Sequence, residues 1–147
     1  MRKQEIYKLI VDEQSFRITE LESYREKLEG VTDLDENSSR DIDDFSHQNE
    51  SMELVLRTKY QVEQARETLD LLSIYAETEH SSVLPGALVE TDLRWFLIGA
   101  NLSSFDIEGR EIIGISNDSP IYSVMVDKVA GDNFQFADKK YTILNIY

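Results

Sequence analysis

The stretch Ile115-Ser116-Asn117-Asp118-Ser119-Pro120-Ile121 decides the fold of the second half of this chain. Serine is a favoured N-cap and proline suits the first helical position, so Ser119 and Pro120 predict the start of a helix. Ile121, Val124 and Met125 follow at helical spacing. The apolar run at 112–115 before this stretch predicts a strand that leads into one short helix.

Further short apolar runs surround this helix and predict a small β-rich domain over residues 80–147. Leu84-Pro85-Gly86 marks a turn before the first of these runs, and Asp138-Lys139-Lys140 marks a hairpin turn before the last. The sheet is expected to be antiparallel. The predicted strands cover 87–89, 95–100, 112–115, 134–136 and 141–146.

The first half of the chain, residues 1–79, shows helical rather than strand periodicity. Apolar residues recur at three- and four-residue steps over 2–29 and over 49–78, although Gln14, Arg17 and Lys59 interrupt the stripes. Gly30 suits a helix end. Two narrow stripes of similar length, joined by an acidic loop at about 31–48, predict an antiparallel coiled-coil hairpin. The fold class is therefore α+β.

Composition restricts the possible partners and compartments. The net charge of −14 disfavours direct binding to free DNA or RNA, so any contact with nascent RNA is expected to be indirect. The absence of cysteine excludes disulfides, thiolate metal sites and cysteine nucleophiles. The charged N-terminus and the lack of a long apolar run predict a soluble cytoplasmic protein without membrane contact. His47 and His80 are too isolated to indicate a catalytic or metal site.

Several motifs resemble those of the bacterial transcript-cleavage factors of the GreA/GreB family. Ile115–Ile121 is similar to the family's I-S-x-x-S-P-[LI], and Lys128 with Gly131-Asp132 resembles the G-K-x-x-G-D stretch that follows it. Pro85-Gly86-Ala87-Leu88-Val89 looks like its entry strand, and the closing residues 141–147 look like its final strand. The resemblance covers nearly the whole chain in type and order.

This resemblance implies a transcription elongation factor rather than an enzyme. It implies an FKBP-like β-domain that docks at the rim of the RNA polymerase secondary channel, with Ser119, Pro120 and Ile121 near the contact. It also implies a hairpin whose tip carboxylates share a catalytic Mg²⁺ with the polymerase, so that backtracked RNA is cleaved. No cofactor is expected in the free protein.

The sequence leaves the identity of the functional acids open. The family's D-L-x-E-N appears as Asp33-Leu34-Asp35-Glu36-Asn37, which implies Asp33 and Glu36 as the pair that holds the metal. About a dozen residues then separate this motif from the predicted second helix. Asp43 or Asp44, with Glu50 opening the helix, is therefore an alternative, and so is a solvated linker without any chemical role.

Two other functions remain open from the sequence. With six acids between Asp33 and Asp44, a channel-binding regulator could inhibit polymerase without stimulating cleavage. Alternatively, an acidic coiled-coil adaptor could hold a partner along its helices. An independent hydrolase is disfavoured because no phosphate-binding glycine loop, triad or metal-ligand cluster is present. A monomer is expected, since an arm that enters a narrow channel must be thin.

Overall fold

A computed structural model of the chain describes residues 3–35 and 42–147, without the side chains of 31–48. The described chain forms two compact units, residues 1–11 with 70–147 and residues 12–69. The α+β class is confirmed, with two long helices preceding a six-stranded sheet and a short helix. The elements are α1 (Lys3–Asp35), α2 (Ile42–Ala76), β1 (Leu88–Thr91), β2 (Trp95–Ile98), β3 (Phe105–Ile107), β4 (Arg110–Ile115), α3 (Pro120–Met125), β5 (Asn133–Phe136) and β6 (Lys139–Ile146).

The two long helices pair in antiparallel order. Glu22 forms an ion pair with Arg66, and Glu29 lies 3.7 Å from Lys59. From the first pair to the second, the contact moves seven residues forward along α1 and seven residues backward along α2. The two helices therefore run in opposite directions. Both ion pairs are largely exposed and contribute little to stability.

A narrow buried seam holds the helices of unit 12–69 together. Thr58 and Thr68 are buried there, and each hydroxyl donates to the carbonyl four residues earlier, at 2.7 and 2.9 Å. These local bonds satisfy hydroxyl groups that would be costly to bury alone. Among the side chains of this unit that the structure describes, the other buried ones are Gln14, Ile18 and Val62.

Both helices are longer than the sequence pattern predicted. Helix α1 continues to Asp35 instead of ending near residue 29, and α2 begins at Ile42 instead of near residue 49. Gly30 is not a helix stop, because it lies inside α1 and is not among the glycines with positive φ. A helical glycine costs only about 1 kcal/mol relative to alanine, which 33 residues of helix can absorb.

The sheet has the strand order β3-β4-β2-β1-β6-β5. Strands β2 and β4 pair in parallel, with Phe96 opposite Ile113, so the expectation of a purely antiparallel sheet was wrong. Between β2 and β4 in sequence, the chain forms β3. Strand β3 pairs in antiparallel fashion with the edge of β4 that faces away from β2. Strand β4 consequently runs in the direction of β2. All other strand pairs are antiparallel.

The main core of the β-domain lies on the side of the sheet that α3 covers. Met125 of α3 is fully buried against Val89, Phe96 and Ile98 of the central strands. Phe134 and Tyr141 complete the core, with rings stacked at 4.8 Å between centroids. Every residue of β2 is buried, so the sheet is covered on both faces at this central strand. Among the described residues, no helix is long and apolar enough to cross a bilayer.

Candidate functional site

The start of α3 lies where the sequence predicted it. Ser119 occupies the N-cap position with extended φ and ψ of −68° and 137°, and Pro120 is the first helical residue. The Ser119 side chain, however, makes no capping hydrogen bond. The backbone closes the turn instead, because the Tyr122 N–H donates to the Ser119 carbonyl at 3.0 Å. The Ser119 hydroxyl thus stays available to another group.

A groove of about 460 Å³ opens beside this helix start. Two of the three predicted contact residues, Ser119 and Ile121, line it, whereas Pro120 does not. Phe96 and Tyr141 form part of its floor, with ring centroids 5.5 Å apart and planes at 71°. Both rings are nearly inaccessible to solvent, so the floor is rigid and apolar.

Two cationic side chains, Arg94 and Lys139, also line the groove, and no acidic residue does. Arg94 is partly neutralised, since its Nη2 lies 3.4 Å from Glu111 Oε2. Lys139 is exposed and forms no ion pair with any residue that the structure describes. In a chain of net charge −14, this groove is a local exception.

A second arrangement joins the first turns of α1 to the β-domain within unit 1–11 and 70–147. The Tyr7 hydroxyl donates to the Gly86 carbonyl at 2.7 Å. Burial, with a smaller effect of Tyr75, raises the pKa of Tyr7 well above its ordinary value, so Tyr7 remains a hydrogen-bond donor. Gly86 has φ +94°, and a Cβ there would lie 2.7 Å from Tyr75 Cδ1. The Pro85-Gly86 motif therefore makes a close backbone approach possible.

A polar cleft of about 540 Å³ lies next to this joint. Lys3, Glu79 and His80 line it, together with Tyr147 from the last strand's end. Burial lowers the pKa of Lys3, while Glu79 acts in the opposite direction. Burial also lowers the pKa of His80, and Lys3 adds to that effect. Burial therefore disfavours the charged forms of both Lys3 and His80 in this cleft.

The acidic residues predicted at the tip fall at the two helix ends. Asp33 belongs to the last turn of α1, and Asp43 and Asp44 belong to the first turn of α2. Their side chains lie outside the described residues, and Glu36 lies outside them entirely. Helix α2 begins five residues after Asn37. The separation between the motif and the second helix is therefore shorter than the predicted dozen residues. Elsewhere in the described part of the chain, no cluster of acids and histidines could hold a metal.

Comparison with solved structures gives a distant likeness. No protein-family model and no curated protein matches the chain. A solved structure, that of the GreA factor homolog Gfh1 of Thermus thermophilus, aligns over 98% of this chain and 94% of its own. The aligned residues are 14% identical and the TM-score is 0.34. Likeness at this level does not establish a shared fold or a shared site.

The sequence pattern indicated the helix start but not the groove. The Ser-Pro pair marks α3 from local preferences, whereas Arg94 and Lys139 come together only through the pairing of distant strands. The Tyr7–Gly86 bond was missed for the same reason, because it joins residues 79 positions apart. A usable signal was the Pro-Gly pair at 85–86, which predicted a turn.

Proposed function

We propose that this protein is a transcription elongation factor of the GreA/GreB type, which binds RNA polymerase at its secondary channel. The observation that carries the proposal is the position of the acids. Asp33 lies in the last turn of α1, and Asp43 and Asp44 lie in the first turn of α2, so these positions fall at the same end of an antiparallel pair. Each helix is about 50 Å long at 1.5 Å rise per residue. Such a pair would present these carboxylates together at one end.

The tip carboxylates suit a shared magnesium site. Mg²⁺ prefers oxygen ligands and takes one or two protein carboxylates together with substrate phosphates. Asp33 and Glu36, or Asp43 and Asp44, would supply such ligands beside an ion that the polymerase already holds. A carboxylate can also orient or deprotonate an attacking water. The protein would thereby promote cleavage of backtracked RNA in the polymerase's own active site, without being an enzyme itself.

Anchoring would fall to the β-domain. Ser119 and Ile121 line a groove, and Ser119 has an uncommitted hydroxyl there. The remaining acidic surface repels nucleic acid, so the protein would approach RNA only through the polymerase. Cytoplasmic location as a monomer follows from this role.

The test uses stalled, backtracked elongation complexes with Mg²⁺. Purified protein is expected to bind polymerase and shorten the RNA from its 3′ end faster than the factor-free control. Asp33→Ala with Glu36→Ala, and separately Asp43→Ala with Asp44→Ala, identify the functional pair by loss of cleavage with binding retained. The proposal would be contradicted if the protein did not bind polymerase and RNA cleavage equalled that of the factor-free control.

A second candidate is a channel-binding inhibitor, favoured by the six acids between Asp33 and Asp44. Such a dense cluster could hold the catalytic ion in an unproductive position. Nucleotide addition measured in the same complexes separates the two functions. An inhibitor slows addition and leaves cleavage unchanged, whereas a cleavage factor accelerates cleavage and rescues stalled complexes.

A further inference from the structure

We propose that the groove between α3 and the β5–β6 hairpin binds a protein segment that combines an apolar side chain with a carboxylate. This inference deepens the proposed docking and rests on the proposed function in naming polymerase as the protein that carries the segment. The binding chemistry itself is a property of the groove. It can therefore be tested without polymerase.

The apolar part of the groove selects an apolar side chain. Phe96, Ile115 and Tyr141 form a buried floor, and the partly buried Ile113, Ile121 and Phe136 are the walls. A volume of about 460 Å³ lies within the range of pockets that enclose small ligands or a few side chains. Transfer of an apolar side chain from water to such a surface is favourable.

The charged rim selects a carboxylate. Among the described residues, Lys139 has no ion-pair partner and Arg94 has a single one, Glu111. Asp118 and Asp138 neighbour the groove in sequence but do not line it. An acidic group seated over the apolar floor would meet a cation in a partly desolvated setting, where charge-assisted hydrogen bonds are strong. A basic segment would be repelled by Lys139.

The polar groups of the groove favour a peptide over a simple hydrocarbon ligand. Ser119 makes no cap bond, and no described residue bonds the Ser116 hydroxyl. The Asn101 side chain lines the same groove. These groups can donate to and accept from a peptide main chain, whose polar groups must be satisfied when buried.

The rigidity of the groove supports binding to a preformed surface. The turn that carries Lys139 has Ala137 and Asp138 at φ 50° and 64°, as in a tight two-residue hairpin. Phe136 pairs directly with Lys139 across this turn. At β4, a Cβ on Gly114 would lie 2.4 Å from the Ala100 carbonyl oxygen, so this wall tolerates only glycine. The groove would therefore lose little conformational entropy when a segment binds to it.

The experiment measures binding of three fluorescein-labelled peptides to the full chain. The probes alternate leucine with glutamate, with glutamine or with lysine. The glutamate peptide is expected to bind most tightly, with the lysine peptide weakest. Lys139→Glu should weaken the glutamate peptide roughly tenfold, as expected for loss of one charge-assisted contact.

Lys140→Glu is the matched control. Lys140 is also exposed and is adjacent on β6, but it does not line the groove. The two variants carry the same net charge. Equal weakening of peptide binding in both variants would therefore indicate a general electrostatic effect and would overturn the proposal. Ile121→Ala should also weaken binding, with thermal melts to confirm that the variant is folded. Equal affinity for all three peptides overturns the proposal as well.

The outcomes separate the groove from the proposed function. Peptide binding that depends on Lys139, without any binding to polymerase, supports the groove and refutes the polymerase docking. Cleavage stimulation that is unaffected by Lys139→Glu, without peptide binding, refutes the groove alone. Self-association that Lys139→Glu abolishes, in the absence of peptide binding, makes a second copy the occupant and also refutes the proposal.

Discussion

Gly86 is the residue on which the joint between α1 and the β-domain depends most closely. Its carbonyl accepts the Tyr7 hydroxyl, while its N–H donates to the Ile98 carbonyl at 2.8 Å. Its φ of +94° lies in a region that other residues rarely adopt. The space where a Cβ would stand is already filled by the Tyr75 ring. Backbone conformation and packing both require glycine here.

Gly86→Ala is expected to lower the free energy of unfolding by about 2–3 kcal/mol, because positive φ and steric overlap both oppose a Cβ. Gly109→Ala is the matched control. Gly109 has φ +78°, but an added Cβ there would meet nothing within 4 Å, so that change should cost about 1 kcal/mol. Urea unfolding followed by circular dichroism gives both values. Equal losses would show that the Tyr75 contact is unimportant.

His80 makes the same joint dependent on pH. Burial lowers its pKa below the ordinary 6.5, and Lys3 adds to this, while the carbonyls of Pro85 and Thr78 oppose it. The ring faces Lys3 from α1 and lies beside Tyr75 of α2, with Glu79 nearby. The Nδ1 atom is buried without a hydrogen-bond partner. A proton on His80 is therefore less favourable in the folded protein than in the unfolded chain.

The consequence for stability has a definite sign. The contribution of neutral His80 is fully present above about pH 6.5 and is lost as the pH falls toward the folded-state pKa. The wild type should thus lose more stability than His80→Gln between pH 7.5 and pH 5. Urea midpoints of both proteins at the two pH values measure this difference. Parallel losses would exclude His80 as the source.

At the scale of elements, the long helices depend on a seam that is partly polar. Gln14, which interrupts the apolar stripe in sequence, is buried, whereas Lys59 is exposed and paired with Glu29. Polar seam residues weaken a coiled coil but can fix its register. Stability must then come from helix propensity over many residues and from the packing of the helix ends in the other unit.

Gly30→Ala tests the contribution of helix propensity. Gly30 is exposed inside α1, and an added Cβ would meet nothing within 4 Å. The substitution is expected to raise the free energy of unfolding by about 0.5–1 kcal/mol, because alanine loses less backbone entropy in a helix. Helical circular dichroism during urea unfolding measures it. A loss of stability would mean that Gly30 ends the helix in solution.

The sequence predicted elements well where local preferences dominate. Both helices, five of the six strands and the N-terminus of α3 follow from periodicity, turn residues and the Ser-Pro pair. Strand β3 was missed because its three residues are too short for a periodic signal. Its turn, Glu108-Gly109 at φ 52° and 78°, was the available clue. Helix ends were less predictable, because the residues that extend the helices, 30–35 and 42–48, are mostly polar or acidic and contain only Val31, Leu34, Ile42 and Phe45 as apolar residues.

The parallel pairing of β2 with β4 and the groove at α3 could not be predicted in the same way. Both arise from contacts between segments far apart in sequence, for which single-sequence periodicity has no signal. Arg94 and Lys139 are ordinary surface cations in the sequence. Only the fold places them on the rim of one apolar groove. Ser119 and Ile121, which the family resemblance implied as contact residues, are among the residues that line this groove.

At the scale of the whole molecule, charge and architecture together support the polymerase proposal. The chain carries a net charge of −14, with acids at the ends of two helices and a cationic groove in the β-domain. An acidic tip would be attracted to bound metal ions, while the rest of the acidic surface avoids free nucleic acid. The account therefore requires the tip to reach the catalytic centre of its partner.

The most direct measurement uses the absence of cysteine from the chain. Ser38 lies in sequence between the last residue of α1 and the first of α2. Ser38→Cys introduces a single thiol, to which an iron chelate that generates hydroxyl radicals is attached. Ser123→Cys on the exposed side of α3 is the control position. In backtracked complexes, the Ser38 probe should cut the RNA near its 3′ end and the polymerase chain around its active site, whereas the Ser123 probe should cut neither. Bound protein whose Ser38 probe leaves both regions intact would contradict the account.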